Sequence, residues 1–284
     1  MRGLGNQIKT LLLMSVLTIL VVLIGRGIGG QSGMMMALIL ALVMNGGSYW
    51  FSDKIALSMA GAQPLSKHDN IEIYAMVEKL TANAGMPMPR LYMTASTQPN
   101  AFATGRDPEH SAVAVTQGLL NILNREELEG VIAHELAHIK NRDVLISTIA
   151  AVMAGVITMM ADWAQWALMF GFGTSDEEEG PGFLTSLPLI ILGPIAAMLV
   201  QMAVSRSREY LADSTGARIA GHSRGLANAL LKLDQASRVI PMDVNPAASH
   251  LFIVNPLNAK RLMNLFSTHP SIEDRVRRLQ ASNL

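Results

Sequence analysis

A chain of 284 residues has room for one large or two modest domains. Its formal net charge is zero, which argues against a nucleic-acid binder relying on bulk electrostatics, and it has no cysteine, which excludes disulfides and thiolate metal ligands. Hydrophobic residues make up 50% and charged residues 15%, so part of the chain is expected to meet lipid.

The first elements in chain order are two apolar segments, Thr10 to Gly25 and Gly27 to Ser52, predicted as a transmembrane hairpin over 1–52. The first is short for a span. It reads as an uncleaved one, because Arg26 follows directly and no small-residue cleavage site is evident. Two further apolar segments form a second hairpin over 144–205: Val144 to about Phe172, interrupted by Asp162, and about Gly182 to Ser205. The 1–2 connection carries only Arg26, and the 3–4 connection carries Asp176, Glu177, Glu178 and Glu179 without a Lys or Arg. All other basic residues lie in the N-terminal tail, in 53–143 and in 206–284. The positive-inside rule places these regions and both termini in the cytoplasm. The acidic run reads as a solvated loop, Trp163 and Trp166 as part of an interfacial aromatic belt, and Asp162 as facing the bundle or the interface.

Within 53–143, Asp69 to Ala84 shows helical spacing of Ile71, Ile73, Tyr74, Val77 and Leu80. Arg90 to Met93 and Ser111 to Thr116 read as short strands, and the turn Thr104 to Pro108 separates Ala101-Phe102-Ala103 from the second of them. Helix, strands and then a further helix give an α+β order. Ser111 to Thr116, just ahead of that last helix, is the candidate strand for holding an extended peptide.

The last helix carries His134-Glu135-Leu136-Ala137-His138. Histidines four apart share a helical face, so both rings can reach one metal ion, and Glu135 is placed to take a proton from a water the metal activates. The flanking Glu126, Glu127 and Glu129 lie near the helix N-terminus, where the dipole favours negative charge. Such a zinc site wants a third protein ligand and an open position. After the fourth span, Arg206 to Ile219, Gly225 to Ala236 and Ile272 to Ala281 have helical spacing, with an irregular loop around Pro241 to Pro256. Glu209 and Asp213 share a face of the first of these helices. Glu209 can supply the third ligand, and Asp213 can take the other ring nitrogen of a ligand histidine, His134 by preference. Without the histidine motif, the pair would read as a solvated, salt-bridged helix beside Arg206 and Arg208. His68, His110, His222 and His250 stay unassigned.

These segments carry a family resemblance. Asn100 to Gly105, the motif 134–138 extended through Asn141-Arg142-Asp143, Ser207 to Asp213, and Thr268-His269-Pro270-Ser271 resemble the HtpX family of bacterial membrane zinc metalloproteases, related to the CAAX prenyl proteases. The likeness covers essentially the whole chain. It implies an α+β membrane protein with four transmembrane helices and a cytoplasmic zincin-like domain, built from 53–143 and 206–284, whose third zinc ligand is glutamate. It also implies one Zn²⁺ per chain, residence in the bacterial inner membrane, and cleavage of damaged or misassembled membrane proteins and unfolded polypeptides. His269 or Arg275 would be the donor to the oxyanion by the same resemblance. The alternatives are a CAAX-type peptidase and a non-catalytic zinc-dependent membrane chaperone or adaptor. Intact Glu135 speaks against the second, since a structural site needs no base. Only six residues, Ile139 to Val144, separate His138 from the first strongly apolar stretch at Leu145, about 10 Å of helix. The zinc is therefore expected at the cytoplasmic membrane surface.

Overall fold

The computed structural model describes residues 2–145, 206–239 and 270–282. The third and fourth spans, the acidic run, Asp162, Trp163, Trp166, His250 and His269 lie outside the described residues.

The first element, α1 (Arg2–Trp50), is two helical limbs joined at Gly29 and Gly30, where Gly30 takes φ +57°. That angle is open to glycine and strained for other residues. The limbs fold against each other: Asn45 Nδ2 donates to Thr18 Oγ1 at 2.7 Å, and a Cβ on Gly33 would fall 2.3 Å from the Gly25 carbonyl. The second limb contains Gly29–Gly47, long and apolar enough to cross a membrane. It leaves Met35, Met36, Ile39, Leu40, Leu42 and Val43 exposed, as a lipid-facing surface requires. Among the described residues it is the one helix that meets this length and composition.

A short helix, α2 (Ser52–Met59), leads into β1 (Gln63–Pro64), α3 (Ile71–Ala84), β2 (Arg90–Thr94), β3 (Ala101–Gly105), β4 (Ser111–Thr116), α4 (Gln117–Ile122) and α5 (Arg125–Asn141). The later segments supply α6 (Arg206–Ala220), α7 (Arg224–Val239) and α8 (Ile272–Ala281). The sheet order is β1-β2-β4-β3, with β2 and β4 parallel and both outer pairings antiparallel. Strand alternation separates two cores. Ala101, Ala103, Val113 and Val115 join the large core with α3, α5, α6, α7 and α8, while Phe102, Ala112 and Ala114 pack under α2.

The sheet order corrects one expectation. Ser111–Thr116 is an interior strand, hydrogen-bonded on both sides, so it has no edge to offer a peptide. The edge beside α5 belongs to β3, which also runs on through Thr104 and Gly105, residues expected in the turn. The turn instead begins at Arg106, and Pro108–His110 forms a single 3₁₀ turn.

α5 runs through the centre of the domain, and every residue from Val131 to Ala137 is buried. Its start is a full capping box. Asn124 Oδ1 accepts from Glu127 N at 3.0 Å, and Glu127 Oε2 accepts from Asn124 N at 2.9 Å. Lys232 of α7 adds an ion pair to the same Glu127 carboxylate at 2.7 Å. The close approach of α6 depends on Gly216, where a Cβ would sit 2.9 Å from the His134 backbone nitrogen. Any larger residue there would push α6, and Glu209 with it, away from the histidines.

Candidate metal centre

Helical spacing stacks His134 above His138, and their rings meet edge to face with centroids 4.6 Å apart. The two Nε2 atoms are 3.1 Å apart. Glu209, from α6, brings Oε2 to 3.7 Å from His134 Nε2 and Oε1 to 3.6 Å from His138 Nε2. The three side chains predicted as ligands are thus brought together, with one donor atom from each mutually within 4.8 Å.

The opposite ring nitrogens face carboxylates. His138 Nδ1 lies 3.0 Å from Asp143 Oδ1 in a hydrogen bond, and His134 Nδ1 lies 3.0 Å from Asp213 Oδ1, though off the line of a well-directed one. Carboxylates at both Nδ1 positions favour the tautomer with the proton there, which leaves both Nε2 lone pairs turned toward the same point. Two lone pairs and a carboxylate converge there, with Arg275 at the margin, its Nη2 3.4 Å from His134 Nε2, an arrangement suited to a metal cation.

The spacing and the charge both fit zinc. Four tetrahedral bonds of ~2.05 Å set ligand atoms about 3.3 Å apart, close to the 3.1, 3.6 and 3.7 Å separations here. Around the point, Glu135, Asp143, Glu209 and Asp213 are buried carboxylates, and Arg208 and Arg275 are buried cations. With neutral histidines the cluster holds two negative charges in excess, which a divalent ion neutralises.

The shifts in acidity follow from that charge. Burial pushes the Glu135 carboxyl up, with the histidines pulling it back and Glu209 adding to the rise. Burial works to lower His138, but Asp143, Glu209 and Glu135 outweigh it and raise the imidazole to about 10. That is the field of a site built for positive charge. Burial disfavours the Asp213 anion, yet Arg275 and His134 hold the group down at about 2. Burial opposes the Arg275 cation, and Asp213, Glu209 and Glu135 more than compensate.

Glu135 does not join the donor cluster. Its Oε2 accepts from the backbone N–H of Ala103 on β3 at 2.9 Å. The Asn100 carbonyl accepts from the Thr116 N–H on β4, so in the alternation that follows the N–H groups of Ala101 and Ala103 face away from β4. Arg275, from α8, forks onto Asp213 with Nε to Oδ2 at 2.9 Å and Nη2 to Oδ1 at 2.6 Å. Its Nη1 lies 3.5 Å from Glu209 Oε2.

Two of these contacts were not anticipated. Asp143 reaches His138 because α5 stops at Asn141 and Arg142 turns left-handed, at φ 56°, so the chain doubles back instead of running straight into the third span. Ala103 acts through its backbone, which side-chain types do not reveal.

Residues 67–283 match peptidase family M48. The chain is 61% identical over 277 residues to a protease HtpX homolog of Pelotomaculum thermopropionicum, an alignment spanning 97% of this chain and 99% of that protein. It is 54% identical over 280 residues to a protease HtpX homolog of Pyrococcus furiosus, spanning 98% of this chain and 96% of that one. Among solved structures it is similar to the crystal structure of S. mikatae Ste24p, with a TM-score of 0.51 and 18% identity, over 98% of this chain and 66% of that one. At that identity the likeness carries the fold alone. By sequence, fold and the buried His-His-Glu group together, the chain belongs to peptidase family M48, as an integral-membrane zinc metalloendopeptidase.

Proposed function

We propose that His134, His138 and Glu209 hold the zinc, and that Glu135 is the general base in hydrolysis of peptide bonds. The observation that carries this reading is the division of labour among the buried acids. Glu209 turns both oxygens to the ligand nitrogens, whereas Glu135 turns away to β3. Zinc, when bound, supplies Lewis acidity to the scissile carbonyl and to a water molecule. Glu135 Oε1, the oxygen opposite the one fixed by Ala103, takes the water proton and passes it to the leaving amine. The raised affinity of its buried carboxyl for a proton suits that relay.

Asp143 and Asp213 orient the ligand imidazoles. Arg275 is fully buried with its fork on Asp213, so it braces the site's carboxylates. It and His269, which lies outside the described residues, are the two candidates for the donor to the oxyanion. Asp143→Ala is expected to weaken zinc binding about 10–100-fold, the range for partners that orient a ligand histidine. Competition with a chromogenic chelator measures it.

An extended substrate would add to β3, an edge strand of the sheet among the described residues, whose main-chain groups make few demands on sequence. The far end of that strand reaches the membrane hairpin: Thr104 Oγ1 donates to Ser52 O at 3.4 Å and Arg106 Nη1 to Trp50 O at 3.3 Å. This proximity suits a site at the membrane surface. The four apolar segments and the placement of Lys and Arg in the sequence support four spans with the site at the cytoplasmic face of the bacterial inner membrane, where it would clear damaged or misassembled membrane proteins. Chelation tests the chemistry. Cleavage of casein and of an unfolded membrane protein should vanish with a zinc chelator and return with one equivalent of Zn²⁺. Activity that survives complete metal removal would end the zinc-peptidase reading.

A further inference from the structure

Where α1 meets the sheet, the protein surface holds an open cavity of about 540 Å³ whose lining includes none of the zinc donors. Trp50, Phe51, Lys54, Arg90, Arg106 and His110 line it, with Asp53 and Glu109 as the acidic members. None of them touches the zinc donors or their carboxylate partners, and hydrolysis gives them no role.

Position comes first. Trp50 lies three residues beyond Gly47, where the membrane-length segment ends, about 5 Å along the helix axis. A headgroup layer is of order 5–8 Å deep on each side of the hydrocarbon. Trp50 and Phe51 are 59% and 52% exposed, and Tyr49 packs edge-on against Trp50, an aromatic cluster of the kind that sits at that depth.

The charges then define a ligand. Arg90 is paired with Asp53, which is itself mostly buried, while the guanidinium side chain stays 49% exposed. Arg106 stacks on the Trp50 ring with its Cζ 4.8 Å from the centroid, and Asp107 lies 3.4 Å from its Nε. Lys54 places Nζ 5.5 Å over the Phe51 ring and makes no ion pair among the described residues. Asp53 partners Arg90 and Asp107, just outside the lining, partners Arg106, which leaves Lys54 as the lining's cation without an ion-pair partner among the described residues. A cavity that sets aromatic rings at the membrane surface beside one cation without an ion-pair partner matches one singly charged phosphodiester. A doubly charged phosphate would meet Glu109 without a second free cation.

We propose that this cavity binds one phosphodiester monoanion, presented by the headgroup of an anionic membrane phospholipid, with Lys54 as its principal cation and Arg106 and Arg90 alongside. Trp50 and Phe51 flank the glycerol and the first methylenes. The bound lipid would tie the end of α1 to the residue that follows β3, since Arg106 already bonds the Trp50 carbonyl. The site rests on the reading that α1 crosses the membrane.

The test uses the full zinc-loaded chain in detergent micelles, probed with phosphatidylglycerol, phosphatidylcholine and soluble glycerol phosphate, with bound lipid counted by mass spectrometry of the intact protein. The wild type should retain one phosphatidylglycerol through detergent exchange and no phosphatidylcholine, and glycerol phosphate should not displace the lipid. Lys54→Gln should bind about fivefold more weakly, the effect of one basic residue near an anionic surface, and Lys54→Glu should retain none. Unchanged zinc content and lipid-free melting of both variants would show that their folds are intact. Equal retention by wild type and Lys54→Glu overturns the site, as does equal retention of phosphatidylcholine. Displacement by glycerol phosphate overturns the lipid as the source of the phosphate. A chain that stays dispersed once detergent is removed overturns the membrane reading beneath the proposal, whatever the lipid counts.

Discussion

Glu135→Gln is expected to lower the proteolytic rate by at least about 100-fold, the lower end of what a general base contributes, while one zinc per chain is retained. The substitution keeps the size and planarity of the side chain. It also leaves an amide whose oxygen can still accept from the Ala103 N–H, as the carboxylate Oε2 does at 2.9 Å. The histidines and Glu209 are untouched, so the donors that converge within 4.8 Å remain. What disappears is the capacity to hold a proton between the water and the amine. Burial raises the proton affinity of the native carboxyl. The neutral amide is therefore at no disadvantage in that environment, and the variant should be as stable as the wild type or slightly more so. Paired metal analysis and single-turnover cleavage of an unfolded substrate give the answer. Near wild-type turnover would remove Glu135 from the mechanism, and loss of zinc would make it a structural element of the site.

The donor set is visible in the sequence because each half lies within one turn of one helix. His134 and His138 are four apart on α5, and Glu209 and Asp213 four apart on α6, so the 3.6-residue period aims each pair at one side. That α5 and α6 face each other follows from tertiary packing at Gly216 and from the need of a zinc site for a third ligand. The burial of Arg275 was also readable: Ile272, Arg275, Val276 and Leu279 fall on one stripe of α8, and three of the four are apolar. Its partner was not, since an arginine on an apolar stripe does not say which acid it meets.

Other features depend on backbone geometry that no residue pattern specifies. The order of strands in the sheet is set by how β2 and β4 pair in parallel around the intervening β3, and an alternating apolar run such as Ser111–Thr116 looks the same inside a sheet or at its edge. Asp143 follows His138 by five residues, a spacing that on a continuous helix would carry it away from the imidazole. The left-handed turn at Arg142 brings it back, and a non-glycine residue in that conformation gives little warning of it.

Glu209→Gln should separate ligand from base most sharply, because it removes the same charge from the same buried site as Glu135→Gln. If both carboxylates acted only through the general field on the metal, the two amides would weaken zinc to the same degree. The geometry says otherwise. Glu209 has an oxygen within 3.7 Å of each ligand nitrogen, and Glu135 has one committed to β3. Replacing Glu209 also withdraws an anion from Arg275, whose Nη1 lies 3.5 Å away, and so weakens the anionic support of a buried guanidinium that forks onto Asp213. Zinc affinity should therefore fall by more than the roughly 10–100-fold expected for a residue that only orients a ligand. The stabilisation that zinc confers on the folded chain should shrink with it, because an ion that binds only the native state stabilises it in proportion to the logarithm of one plus the ratio of free ion to its dissociation constant. Activity should recover in part as free Zn²⁺ is raised, since Glu135 remains to move the proton, whereas Glu135→Gln should stay inactive at any zinc concentration. A Glu209→Gln protein that holds one zinc with wild-type affinity would displace Glu209 from the donor set and leave the two histidines in need of a different third ligand.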